Sequence, residues 1–194
     1  MVDDGDSMAV TLRRRRFTLD EYHRMGATGI LGPDDRVELI EGEIIEMAPI
    51  GSRHAAVVAR IQHVFSSRLG SRAIVWVQSP LQLPGHHSEP VPDVVLLEPR
   101  ADFYAGGLPG PADVRLVVEV ADSSLLYDRR TKLPLYARGG LAEAWLVDLD
   151  AGRVEMHRGP GGAGYRRVAV PRADERFSPA AVPDLTITLA DLLG

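Results

Sequence analysis

The chain contains no cysteine, which excludes a disulfide framework and any thiolate metal site. That absence suits a reducing cytoplasm, where we expect the protein to act. Long apolar runs are also missing: the longest are strand-sized, far below the roughly 20 residues a membrane span needs. Met1 to Val10 is acidic and carries no apolar core of a signal peptide, so no membrane partner is expected. A net charge of -5 argues against a broad basic surface for non-specific DNA binding, although it leaves room for a local basic channel. Lysine is almost absent. Of 22 Lys and Arg residues, 21 are arginine and Lys132 is the only lysine. Arginine is a planar, always-charged fork, whereas lysine is a compact point charge that can reach a single oxygen. A position that keeps lysine in such a chain either needs that shape or forms an ordinary i,i+4 helix pair with Asp128, worth only about 0.3–0.5 kcal/mol.

What is present suits one globular domain: 194 residues, 45% hydrophobic and 25% charged. We expect a flexible arm over residues 1–16 and a single domain over 17–194. The run Arg13-Arg14-Arg15-Arg16 closes that arm; it reads as a solvated stretch or as a grip on phosphates. Thr18-Leu19-Asp20-Glu21 has the form of a capping box and predicts a short helix that Gly26-Ala27-Thr28-Gly29 stops. Two strand-like runs, 36–40 and 43–47, flank Glu41-Gly42, a pair that tolerates positive φ, and so predict a hairpin. Val58, Ile61, Phe65 and Leu69 recur at helical spacing within 52–69, and Gly70 ends that helix. Strands are expected at 73–77, 93–97, 114–120, 144–148 and 153–157, with a further one near 165–170. A helix is expected over 124–137, with Pro134 either kinking it or marking the start of its regular part. A short closing helix is expected from Leu189. The order implies an α/β domain with a central mixed sheet flanked by helices.

Three residues in this frame suggest metal-dependent phosphodiester cleavage. Asp93 opens one apolar strand, Glu119 lies inside another, and Lys132 follows on the next helix. A divalent cation supplies both a hydroxide near neutral pH and positive charge for the phosphoryl oxygens. Magnesium prefers one or two carboxylates plus waters, so two carboxylates on neighbouring strands could share one cation, with manganese as a substitute. The alternative for Asp93 is a capping or turn acid after proline. Glu119 sits between Val118 and Val120, where an unpaired carboxylate would cost several kcal/mol, so a partner or a metal is expected. Glu38 reads either as a third metal ligand or as an exposed strand residue, and His54 as a phosphate or metal contact or as a structural hydrogen-bonder. Asp128 and Tyr136 flank Lys132 at four-residue spacing and share its helix face, where they either orient the ammonium or form a packed, salt-bridged surface. Trp145 reads as core, and Ser123 and Ser124 lack the context of a serine hydrolase.

These residues, in this order, resemble a known pattern. Pro92-Asp93 followed by a strand with Glu119 resembles the PD-(D/E)XK nuclease signature. The wider set is Val37-Glu38-Leu39-Ile40-Glu41-Gly42-Glu43-Ile44, His54, Pro92-Asp93-Val94-Val95, Val118-Glu119-Val120, the stretch Tyr127 to Ala137, and Ala144-Trp145-Leu146-Val147-Asp148. Together these resemble the Uma-two family of restriction-endonuclease-like proteins over Phe17 to Gly194. The resemblance implies a restriction-endonuclease-like core, a magnesium site and DNA as substrate. It departs from the general nuclease pattern at one position: the lysine expected two residues after the glutamate is Ala121. The resemblance implies that Lys132 reaches into the same site from the following helix. We therefore expect a magnesium-dependent endonuclease, with a catalytically silent nuclease-fold module that binds nucleic acid or a protein partner as the alternative. A homodimer would place two sites on two strands.

Overall fold

The computed structural model describes residues 14–194; Arg13 and the acidic segment before it lie outside the described residues. Helix α1 (Leu19–Ala27) opens on the expected capping box, with Thr18 accepting from the Glu21 N–H and Glu21 accepting from the Thr18 N–H. Arg15 pairs with Glu21 and Arg16 donates to the Glu41 carbonyl, so this part of the arginine run is bound to the protein itself. Strands β1 (Val37–Ile40) and β2 (Glu43–Glu46) form the hairpin. Its two turn residues, Glu41 and Gly42, both have positive φ (48° and 81°), as a two-residue hairpin turn requires. Gly42 has a second reason to be glycine: a Cβ there would lie 2.6 Å from the Arg16 Cβ and 2.9 Å from the Phe17 carbonyl.

The hairpin is a two-stranded sheet of its own, joined to the rest through the Leu39–Glu89 bridge. The main sheet has six strands in the order β3 (Ile74–Val77), β4 (Val94–Leu97), β5 (Val114–Ala121), β6 (Glu143–Asp148), β7 (Arg153–Arg158) and β8 (Arg167–Ala169). Only β5 and β6 run parallel; the other pairs are antiparallel. The expected mixed sheet is therefore present. A parallel pair needs a crossover, and residues 125–138 supply it.

Strand alternation divides the core into two layers. Val94, Leu96, Leu116, Val118, Val120, Trp145 and Val147 face helix α2 (Ser52–Leu69), whose Val58, Ile61, Phe65 and Leu69 are all buried, and the closing helix α5 (Leu189–Leu193). Trp145 is fully buried there between Phe65 and Phe177. Val95, Leu97, Val117, Ala121, Ala144 and Leu146 face the crossover, the hairpin and the segment carrying Leu81 and Leu83. Asp93 and Glu119 have the parity of this second layer, which places them beneath the crossover.

The crossover is not one regular helix. Helix α3 (Leu125–Tyr127) passes into a π-helical turn (Asp128–Lys132) and then helix α4 (Leu133–Arg138). The Leu133 N–H reaches back five residues to the Asp128 carbonyl. Pro134, in the first turn of α4, has no N–H to offer the carbonyl four residues back. A wide turn is a common way to absorb that loss. Proline thus marks the start of the regular part, and Lys132 sits at the end of the wide turn.

Candidate active site

The candidate side chains come from several elements, with Asp128 and Lys132 sharing the π-helical turn, and all meet at one end of β4 and β5. The register Val94 to Val118, continued by one residue, sets Asp93 opposite Glu119. The Asp93 carboxylate accepts the Val120 N–H at 2.8 Å and the Gln78 side-chain amide at 3.4 Å, so it also ties the end of β4 to β5. His54, from the first turns of α2, brings Nε2 to 3.1 Å from Asp93 Oδ1. Its Nδ1 is buried without a hydrogen-bond partner among the described residues.

Lys132 is 6% exposed and does not pair with Asp128. Its Nζ lies 3.1 Å from Glu38 Oε2 and 3.3 Å from Glu119 Oε1. Glu38, on β1 and 2% exposed, also accepts the Val91 N–H at 3.1 Å and the Tyr127 hydroxyl at 3.2 Å. Glu119, 3% exposed, accepts a short hydrogen bond from the Tyr136 hydroxyl on Oε1. Asp128, also buried, accepts from the Ser124 hydroxyl at 2.5 Å. Ala121 explains the altered lysine position. It has the same strand parity as Glu119 and packs in the layer beneath α4 with Leu133 and Tyr136. A lysine there would have to displace that packing, and the charge arrives from above instead.

Burial pushes the Glu119 carboxyl well above the usual carboxylate range, against the pull of Lys132; Asp128 and Asp93 add to the rise. Burial likewise raises Asp128, partly offset by Ser124. Burial alone would lower the Lys132 pKa, but Glu119, Glu38 and Asp128 outweigh it and keep the ammonium charged. Burial and then Glu119 raise the Tyr136 phenol, so it stays a donor. The hydrogen bond to Asp93 raises His54. Two carboxylates thus hold the ammonium, with Asp93 and Asp128 lining the same cleft, and the surplus negative charge calls for a proton or a further cation.

Asp93, Glu119, Lys132, Glu38, His54 and Asp128 all line one cleft of about 590 Å³. Tyr136 is fully buried behind it. The residues that sequence reasoning missed are Tyr127, Gln78 and Arg36. Tyr127 opened a stretch that carries the family resemblance but had no role assigned to it, whereas Gln78 has a positive φ of 44°, visible only in the structure. The donor set fits a hard divalent cation, because two carboxylates from adjacent strands are the protein share that magnesium usually takes. Among the described residues no group of three or more acids and histidines converges to hold a metal, so a cation at Asp93 and Glu119 would complete its shell with water.

Among the described residues no helix is long and apolar enough to cross a membrane. No curated protein matches the chain. A solved structure, a putative nuclease belonging to DUF820 from Anabaena variabilis ATCC 29413, has a similar fold. It has a TM-score of 0.70 and 19% identity, covering 91% of this chain and 97% of that one. The family model Uma2, described as "Putative restriction endonuclease", matches residues 19–190. On that match, which spans nearly all of the described fold, the chain belongs to the Uma2 family.

Proposed function

We propose that the cleft is the centre of a magnesium-dependent endonuclease that hydrolyses DNA phosphodiester bonds, built on a PD-(D/E)XK plan with its lysine relocated. The observation that carries this reading is the buried Lys132 ammonium held between Glu38 and Glu119, with Asp93 opposite Glu119. The chemistry a divalent cation supplies when bound is positive charge at the phosphoryl oxygen and a more acidic water. Asp93 and Glu119 would hold it. Lys132, fixed by Glu38, then sits where its ammonium can donate to the attacking water or to a non-bridging oxygen as negative charge develops. Glu38 acts in this reading through Lys132, although it was also a candidate cation ligand. Tyr136 and Lys132 both bind Glu119 Oε1, which leaves Oε2 for the cation. His54 and Gln78 fix the Asp93 carboxylate from the opposite side.

A second reading, a silent module that binds nucleic acid or a protein partner, draws on Ala121 and on the predominance of acids in the cleft. Nicking of supercoiled plasmid separates the two, with magnesium or manganese, comparing the parent with Asp93→Ala and Glu119→Ala purified identically. The nuclease reading expects cleavage by the parent alone, stopped by EDTA. Equal cleavage by all three proteins would refute the assignment.

A further inference from the structure

We infer that the cleft takes an unpaired nucleotide of a DNA strand, with Arg36 on its phosphate and the Met47–Ile50 lip against its base, rather than intact duplex. This rests on the nuclease reading above and names its substrate class.

The hairpin sets the geometry. Glu38 faces Ile45 across the ladder, and the Met47 N–H donates to the Arg36 carbonyl at 2.8 Å, extending the ladder outward. Strand alternation puts Arg36 on the side of Glu38 and Met47 on the side of Ile45; all four line the cleft. Arg36 is two residues, or about 7 Å, from Glu38 along the strand. Moving outward from the buried Lys132–Glu38 pair, it is the next cation.

Arg36 is exposed, and among the described residues its guanidinium makes one hydrogen bond, to the Ala48 carbonyl at 3.4 Å, with no carboxylate in ion-pair range. Most of its five donors remain available, in the fork that matches a phosphate. Lys132, by contrast, spends two of its three donors on Glu38 and Glu119.

The rest of the lining disfavours a duplex. Glu38, Glu46, Asp93, Glu119, Asp122 and Asp128 face the cleft against Arg36, Lys132 and His54. Duplex DNA carries one negative charge per roughly 1.7 Å of axis and is gripped by many cations. This lining offers few free cations for such a grip: the contact points for phosphate are Arg36 and a divalent cation. Two such points suit two phosphates of a single strand.

The remaining wall is apolar. Met47, Ala48, Pro49 and Ile50 run consecutively along it, and Ile50 is 41% exposed. Ala48, Pro49 and Ile50 are exposed, half-buried Met47 precedes them, and none belongs to either core cluster; this apolar run beside a charged floor suits the face of a base taken out of the stack. The cleft volume lies in the range that accommodates one small ligand unit.

The test is fluorescence anisotropy with one labelled oligonucleotide sequence in three forms: single-stranded, blunt duplex, and duplex with a single-stranded flap. The full chain is used, with Ca²⁺ in place of Mg²⁺ to limit turnover. The single strand and the flap are expected to bind about tenfold more tightly than the blunt duplex. Arg36→Ala should lower affinity for the unpaired forms and reduce the slope of log K against log salt by about 0.7. Ile50→Asp should erase most of the preference for unpaired forms. Blunt duplex binding as tightly as single strand, or both variants binding like the parent, would overturn the inference. Plasmid cleavage then separates the two levels. Equal cutting of relaxed and supercoiled plasmid would leave the nuclease standing and refute the unpaired-nucleotide subsite. A parent that neither cuts plasmid nor binds any of the three forms would refute both.

Discussion

Replacing Lys132 by methionine removes the one ammonium that lies within 3.3 Å of both Glu38 and Glu119. Methionine has nearly the same length and shape, so packing changes little and the effect isolates charge. Both carboxylates are almost fully buried, and neither can recover its lost partner from bulk water. Breaking a buried pair in this way costs about 3–5 kcal/mol. For a domain of this size each kcal/mol lowers Tm by roughly 2–4 °C, so the expected fall is about 6–20 °C in EDTA. Chemical denaturation in urea, with the slope unchanged, gives the free energy directly. Two companions sharpen the result. Glu38→Gln in the Lys132→Met background should recover part of the loss, since it removes one uncompensated charge. Magnesium should stabilise Lys132→Met more than the parent, because a cation at Asp93 and Glu119 would offset the Glu119 charge that has lost its ammonium. A loss below about 0.5 kcal/mol, the range of an exposed i,i+4 pair, would refute the buried-bridge account of Lys132.

Lys132→Arg keeps the charge but forces a larger fork into a closed site, so most cleavage activity should be lost at a stability cost of about 1–3 kcal/mol; full activity would show that lysine's shape is not needed. Tyr136→Phe removes a buried donor to Glu119 and should cost about 1.5–3 kcal/mol, measured by denaturation in EDTA. Pro134→Ala restores an N–H opposite the Arg130 carbonyl, so the wide turn can tighten and carry Lys132 off register; stability is expected to hold while cleavage falls. The His54 pKa is raised in the folded protein by the hydrogen bond to Asp93. Its contribution to stability is therefore fully present below the unfolded value of about 6.5 and is lost as pH rises through the folded value. In EDTA the stability gap between parent and His54→Gln should be wider at pH 6 than at pH 9; a gap that widens with pH would contradict this.

Much of the fold was legible because its signals are local. The Thr18–Glu21 box, the Glu41-Gly42 turn and the apolar stripe of α2 each follow from spacing alone. The buried apolar strands β4 and β5 were equally plain, and Glu119 stood out because a lone acid among valines is costly. Other features depend on contacts distant in sequence. No local pattern says that the hairpin leaves the main sheet, since β1 and β2 read like any other strands. The π-helical turn runs directly into the start of α4 at Pro134, but proline fits a kink or a helix start equally well in sequence. Lys132 was noticed through its rarity, yet its pairing with Glu38, 94 positions away, depends on how the hairpin docks over the crossover. Tyr127 and Gln78 reach Glu38 and Asp93 only through tertiary packing. Arg36 was one arginine of 21, and nothing in its neighbours marked it as facing the cleft.

The most direct test of the proposed centre is anomalous diffraction from crystals of the protein soaked in Mn²⁺. The account predicts one strong peak shared by the Asp93 and Glu119 carboxylates, with the Lys132 ammonium still between Glu38 and Glu119, and no such peak in Asp93→Asn. A parent that binds no manganese between these carboxylates, or binds it equally well once Asp93 is neutralised, would contradict it.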